Sequence, residues 1–335
     1  MEWRRGAPSR NGGDGSEKSA PFCSHASKST RSAGYRARSM LVALSHATAA
    51  PPNASHIINP RLESLDIDID PAGITISGFS SGAGFALMQQ VAFSSVYAGV
   101  GAFSGPIPHC PVMYWPNVSE LVNGTNPTCP FCDGCPQGTT LKDCDWGPAE
   151  IQTARVVHEW IAASTEDLID DVAHLNGTRV WVHMGSSEGA WAGGQNERNL
   201  AQVFEAFGAA IVVTSTPSNH AWPLDGHGTP CGQGKSYIED CHFDGPGAML
   251  NHLYGPLLPP AKSFDPNGLI NFDQRPFFSP DNDGELGAGL ASNGTIYLPT
   301  RCRATGTTCR LHMSLHGCGE AGYYHAEVWM GTEDL

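Results

Sequence analysis

No apolar stretch in this 335-residue chain approaches the ~20 residues that a membrane-spanning helix requires, and no segment repeats. Positive charge is scarce as well. Lys and Arg number 19 against 33 Asp and Glu, a formal net charge of −14, and eight of the basic groups sit in residues 1–49 beside only three acidic ones. The rest of the chain is therefore strongly acidic and repels phosphate backbones and anionic lipid, which argues against a nucleic-acid or polybasic membrane partner. A Thr-rich or Pro-rich linker leading to a second β domain is also missing, so no separate polymer-binding module is expected. With 40% hydrophobic residues the chain is globular, with material for one substantial core or two small ones.

Residues 1–50 are rich in Ser, Gly and Arg and close on "RARSMLVALSHATAA". Basic residues, a short apolar run and a small-residue triplet have the layout of a secretory signal peptide; a disordered tail is the competing reading. Two further features favour export. Sequons stand at Asn53, Asn117, Asn123, Asn176 and Asn293. Setting aside Cys23 in the leader, ten cysteines remain, at Cys110, Cys129, Cys132, Cys135, Cys144, Cys231, Cys241, Cys302, Cys309 and Cys318. An even complement in an exported chain reads as a disulfide framework. Cys129, Cys132, Cys135 and Cys144 have spacing that could also hold zinc through four thiolates, but an oxidising compartment favours two local disulfides. A soluble, extracellular, monomeric protein without metal or cofactor is expected, with a leader over 1–50 and one domain over 51–335.

That domain alternates strand and helix patterns. "GITISG", "VYAGVGAFSG", "TRVWVHMGSS" and "AIVVTST" read as strands, and "AGFALMQQVAFSS", "ARVVHEWIAAST" and "ERNLAQVFEAFGA" as helices, the βαβ rhythm of a mostly parallel sheet flanked by helices. Residues 106–148, proline-rich and holding five of the cysteines, interrupt it as a disulfide-tied loop or lid. Residues 222–292 are rich in Gly, Pro and Asp, with one helical piece near "GAMLNHLYG"; "TIYLP" and "RLHMSLHG" then read as strands.

The chemistry centres on Gly78-Phe79-Ser80-Ser81-Gly82. This G-x-S-x-G pattern between a strand and a helix lets the chain turn sharply with the serine strained and exposed at the tip. The following helix N-terminus aims N–H groups at a developing oxyanion, Ser81 first. A serine needs a base, and the base an acid to hold its tautomer. Glu188 follows the strand "TRVWVHMG" and His220 follows "AIVVTST", both at carboxyl ends of strands, the edge where a parallel sheet builds its site. Among other histidines, His183 lies inside a strand, His158 and His174 on or near a helix, and His227 and His242 in the long loop. Asp225 is too close to His220 in sequence to follow a strand of its own, and Asp170 and Asp171 fit a solvated turn. The second oxyanion donor has no source before Ser80. It has one at the far end, where "CRLHMSLHGCGEAG" runs a strand into His316-Gly317-Cys318-Gly319, as if the order of elements had been rotated.

The stretches "SGFSSGAGFALMQQ", "GAFSGPIPHC", "WVHMGSSEGAWAGGQNERNLAQVFEAFG", "SNHAWP", "CGQGKSYIEDCHFDGPGAMLNHLYGPL", "INFDQRPFF" and "CRLHMSLHGCGEAGYYHAE" resemble, in order, the extracellular polyhydroxybutyrate depolymerases. The resemblance runs from about residue 72 to the end. It implies a circularly permuted α/β-hydrolase with Ser80 as nucleophile, His220 as base, Ser81 and Cys318 as backbone oxyanion donors and Trp222 at the substrate cleft. It also implies disulfides Cys231–Cys241, Cys302–Cys309 and Cys110–Cys318. In two respects the chain departs from the family: Glu188 stands where the family acid is usually Asp, and the chain ends before a further helix and strands, so the C-terminal part of the fold is expected to be missing. The expected activity is hydrolysis of poly(3-hydroxybutyrate) or related esters. A feruloyl or acetyl esterase acting on plant polysaccharide and an inactive glycoprotein on the same scaffold are the alternatives.

Overall fold

The computed structural model describes residues 60–105, 153–188, 195–234, 236–259, 265–278 and 291–317. The leader, the sequons at Asn53, Asn117 and Asn123, the segment 106–148 with its five cysteines, and Cys318 lie outside these residues.

In chain order the described elements begin with β1 (Asp68–Phe79), α1 (Ser81–Ala92), β2 (Gly99–Phe103), α2 (Thr153–Thr165), β3 (Arg179–Gly185), α3 (Gln195–Ala206) and β4 (Ala210–Thr216). After these come the short strands β5 (Trp222–Leu224), β6 (Thr229–Pro230) and β7 (Ile238–Asp240), the helix α4 (Gly245–Tyr254), and β8 (Leu269–Asp273), β9 (Asn293–Tyr297) and β10 (Thr308–Leu315).

Five strands form one parallel sheet in the order β10-β1-β2-β3-β4. β10, late in the chain, lies first in the sheet, beside β1, with Gly78 opposite Leu315. The neighbour of β1 on this side is thus supplied from the far end of the sequence, as the rotated order of elements leads one to expect. Because helices cover both faces, the middle strands are buried almost throughout: all five residues of β2, and six of the seven in β3. One polar cluster bridges β10 and β1. His312 on β10 bonds Thr75 Oγ1 through Nδ1 and Ser77 Oγ through Nε2, each at 2.8 Å, so hydroxyls two residues apart on one face share one imidazole.

Alternation along the strands divides the interior into two cores. On one face Ile76, Val100, Ala102, Val180, Val182, Met313 and Leu315 pack against α1, α2 and α3 through Ala83, Leu87, Trp160, Val203 and Phe204. The opposite face presents Phe79, Phe103 and Trp181 to Trp222, Ile238 and the α4 residues Met249, Leu250 and Leu253. The start of α4 is set by Asp244, whose Oδ1 accepts the Gly247 N–H at 2.9 Å, and by Pro246 in the first turn; its end is set by Gly255 at φ 87°.

Two features differ from the sequence reading. Residues 222–240 hold a three-stranded sheet, β5-β7-β6, whose strands of two or three residues are too short to leave a periodic signal. The "TIYLP" strand pairs antiparallel with β8 in a separate two-stranded sheet instead of joining the main one. The disulfides Cys231–Cys241 and Cys302–Cys309 are both formed. No helix among the described residues is long and apolar enough to cross a membrane.

Candidate active site

Ser80 sits between β1 and α1 at φ 55°, ψ −121°, a conformation that costs a non-glycine residue of order 1–3 kcal/mol. Its surroundings hold it there. The Ser80 N–H donates to Phe103 O at 2.9 Å on the neighbouring strand, and its carbonyl accepts from Gly84 N at 3.1 Å in the helix. The flanking glycines are required by close approach: a Cβ on Gly78 would come within 2.3 Å of the Gly82 backbone, and one on Gly82 within 2.5 Å of the carbonyl oxygens of Leu315 and His316. The end of β10 therefore lies directly on the elbow. A Cβ on Gly317 would stand 2.9 Å from Ser80 Cβ, and His316, itself buried, donates from Nδ1 to Gly317 O at 2.8 Å to hold this turn. Ser81 is the first residue of α1, so the helix N-terminus opens at the nucleophile.

The expected base and its acid lie after the ends of β3 and β4. β3 ends at Gly185 and β4 at Thr216, and their loops run together: Ser186 N donates to Thr216 O at 2.8 Å and Ser187 N to Ser218 O at 3.1 Å. This brings Glu188 and His220 into contact, His220 Nδ1 donating to Glu188 Oε1. Glu188 is 1% exposed, whereas the His220 side chain is 30% exposed. A buried carboxylate thus fixes the tautomer and leaves Nε2 as the basic nitrogen on the solvent side. The His220 ring packs 4.7 Å from the ring of Phe79, the residue before Ser80. No hydrogen bond joins Ser80 Oγ to His220 among the described residues; such bonds often tighten only in the substrate complex.

The rival residues are accounted for elsewhere. His183 is fully buried between Thr214 Oγ1 at 3.0 Å and Thr216 Oγ1 at 3.2 Å, and burial pushes its pKa down to about 4. Asp225 is exposed and lies 3.8 Å from His242 Nδ1. Asp225, Asp240 and His242 bring potential ligand atoms within 4.8 Å of one another on an exposed turn. There the backbone N–H groups of Gly226 and His242 already engage Asp240 and hold its carboxyl below the usual carboxylate range. Asp170 Oδ2 accepts from Ser95 N and Oγ, tying a surface turn to the loop after α1.

One expected residue is misplaced. Trp222, read as a wall of the substrate cleft, is 0% exposed and packs against Phe79 at 5.5 Å and Phe103 at 4.5 Å between ring centroids. Its neighbourhood to His220 in sequence hides the fact that β5 turns it inward, beneath the site. The exposed aromatic beside the base is Tyr237, edge-on to His220 at 6.3 Å and to Phe79 at 6.1 Å. Sequence reasoning missed it because its neighbour in sequence is a three-residue strand with no visible pattern. The oxyanion donor expected at Cys318 lies outside the described residues, one position beyond Gly317.

A strained serine at the end of a strand inside a parallel sheet, with a carboxylate and a histidine in contact after the ends of β3 and β4, defines the class: an α/β-hydrolase. No family model matches the chain. By sequence the chain is similar to two polyhydroxybutyrate depolymerases. It is 31% identical over 258 residues to the poly(3-hydroxybutyrate) depolymerase of Delftia acidovorans, covering 75% of this chain and 46% of the relative. To the polyhydroxybutyrate depolymerase of Talaromyces funiculosus it is 28% identical over 259 residues, covering 75% and 66%. The chain thus spans about half the length of one curated relative and two thirds of the other. In three dimensions it resembles the PHB depolymerase from Penicillium funiculosum, with a TM-score of 0.59 at 24% identity over 81% of this chain and 75% of that one. A PHB depolymerase variant complexed with an R3HB trimer matches with a TM-score of 0.57 at 24% identity, over 78% and 72%. These likenesses establish the fold.

Proposed function

We propose that the chain is a secreted serine carboxylic-ester hydrolase that cleaves poly(3-hydroxybutyrate) or its oligomers through an acyl-enzyme. The observation that carries this reading is the buried Glu188 paired to His220 beside the strained Ser80. His220 Nε2 takes the proton from Ser80 Oγ as the oxygen attacks the ester carbonyl carbon. The tetrahedral oxyanion is met by the Ser81 N–H and, as a second donor, that of Cys318. As the intermediate collapses, the bond to the alkoxide oxygen breaks and His220 returns the proton to it, releasing the hydroxyl end of the polymer. Water, deprotonated by the same nitrogen, attacks the acyl-enzyme, and the hydroxyacid leaves with Ser80 restored. Export is supported by the two disulfides and by the exposed sequon asparagines Asn176 and Asn293.

The test is clearing of poly(3-hydroxybutyrate) granules, run beside hydrolysis of p-nitrophenyl butyrate and of a feruloyl ester. Activity on the first two is expected. Ser80→Ala should abolish both, with kcat lower by roughly 10⁴- to 10⁶-fold and the thermal midpoint nearly unchanged. A variant retaining a tenth of wild-type activity removes Ser80 as nucleophile, and turnover confined to the feruloyl ester reassigns the substrate.

A further inference from the structure

We propose that Glu239 is a positioning residue for catalysis, holding the loop that carries His220 in register with the elbow. The proposal rests on the reading of Ser80, His220 and Glu188 as a triad. Glu239 is 0% exposed, and both carboxylate oxygens face backbone N–H groups. Oε2 accepts from Asn219 N at 3.1 Å and from Gly232 N at 2.8 Å, and Oε1 accepts from Gly234 N at 2.8 Å. An ionised carboxylate offers acceptors only, so it matches three converging donors where an amide or hydroxyl cannot.

What these donors belong to gives the carboxylate its role. Asn219 immediately precedes His220 in the chain. Two residues after His220, the Trp222 N–H donates to Tyr237 O at 2.7 Å, and Trp222 then pairs with Ile238 as β5 meets β7. The base is therefore anchored on both sides by the segment 237–239: before it by the side chain of Glu239, after it by the backbone of Tyr237. Gly232 and Gly234 lie in the loop closed by the Cys231–Cys241 disulfide, and Cys231 N donates to Asp240 O at 3.1 Å. Glu239 thus fastens the His220 loop to a covalently closed loop. On its other side the His220 loop meets the Glu188 loop through the bond from Ser187 N to Ser218 O. Glu239 touches no reacting atom. It acts by fixing where the imidazole stands relative to Ser80, and a misplacement of about 1 Å is enough to cost ~10²-fold in rate.

The test compares Glu239→Gln and Glu239→Asp with the wild-type full chain, using p-nitrophenyl butyrate. Competent sites are counted by stoichiometric fluorophosphonate labelling, so that kcat is expressed per titrated site. Gln sets an NH₂ group against at least one backbone N–H; kcat per site should fall ~10- to 100-fold with KM within about twofold of wild type. Asp keeps the acceptors on a shorter stem and should recover part of the loss, and Asp225→Asn, exposed in the turn after β5, should behave as wild type. A wild-type kcat per site in Glu239→Gln, with only the number of competent sites or the thermal midpoint reduced, makes the residue merely structural and overturns the proposal. If Glu239→Gln does not fold, Glu239→Asp carries the test: a loss per site supports the proposal and a wild-type value overturns it. Ser80→Ala run in parallel separates the two levels. If it is still active and the fluorophosphonate labels another residue, the triad reading fails first and the role of Glu239 falls with it.

Discussion

Ser80 and His220 face the same site but are held by different means. The serine is placed by backbone alone: a strand inside a five-stranded sheet, a helix starting at the next residue, and glycines that let β1, α1 and the end of β10 close to contact. The histidine lies on a loop with no regular structure of its own, and side chains and short strands hold it: Glu188 from the β3 end, Glu239 from β7, the Phe79 ring, and the loop closed by Cys231–Cys241. Strain at Ser80 is carried by elements that a large core stabilises. The position of His220 depends on buried polar contacts, each of which a single substitution can remove. The nucleophile side should accordingly respond to changes of shape, and the base side to changes of charge and hydrogen bonding.

The largest effect that would break this contrast falls on the base side. Glu188→Gln should lower kcat on the order of 10⁴-fold, because an amide can favour the wrong tautomer of His220. Glu188→Asp should restore much of it, and both variants should stay folded by circular dichroism. Equal activity in Glu188→Gln and wild type would reassign the acid.

A shape change on the nucleophile side should do less but still show. Gly82→Ala places a methyl group 2.5 Å from two backbone carbonyl oxygens of the β10 end, so either α1 or the His316-Gly317 turn must move. A loss of about 10² in kcat is expected, with the Glu188–His220 pair intact. A wild-type rate would show that the two segments can separate without cost.

Smaller effects should fall on stability. Losing the Cys231–Cys241 bridge should cost ~2–5 kcal/mol in urea unfolding. Cys231→Ser, Cys241→Ser and the double variant should lose about the same amount, since all three remove one bond. An additive double variant would mean that the thiols matter beyond the bridge.

The smallest effect sharpens the comparison through pH. His183 has a folded pKa of about 4, below the ordinary 6.5, because burial disfavours the cation. The unfolded chain therefore binds the extra proton between these values. The stability from keeping His183 neutral is fully present above about pH 6.5 and is lost as pH falls towards 4, with a slope of up to about 1.4 kcal/mol per pH unit. Urea unfolding at several pH values should show the slope shrinking in His183→Gln; an unchanged slope would assign it to other groups.

The sheet was legible because its strands are short runs rich in apolar and β-branched residues and its helices carry apolar faces, both local patterns that survive whatever packs on them. Ser80 was legible for the same reason: strand, turn and helix are adjacent in sequence, and the glycines that permit the strain lie within two residues of it. Glu188 and His220 could be placed at strand ends from the order of elements. That they touch, however, depends on two loops meeting side by side after β3 and β4. Trp222, Tyr237 and Glu239 were decided by tertiary structure. Two- and three-residue strands leave no periodicity, and which way such a strand turns its side chains is fixed by the neighbour it pairs with. The pairing of β5 with β7 sends Trp222 into the core, while Tyr237 lies beside the base and the Glu239 carboxylate reaches three N–H groups from two separate loops. Sequence by itself determined the strained turn at Ser80 and the sheet that carries it, because local propensity and steric allowance suffice for both. The setting of the base was left to contacts between residues distant in the chain, whose energies exist only once the sheet has formed.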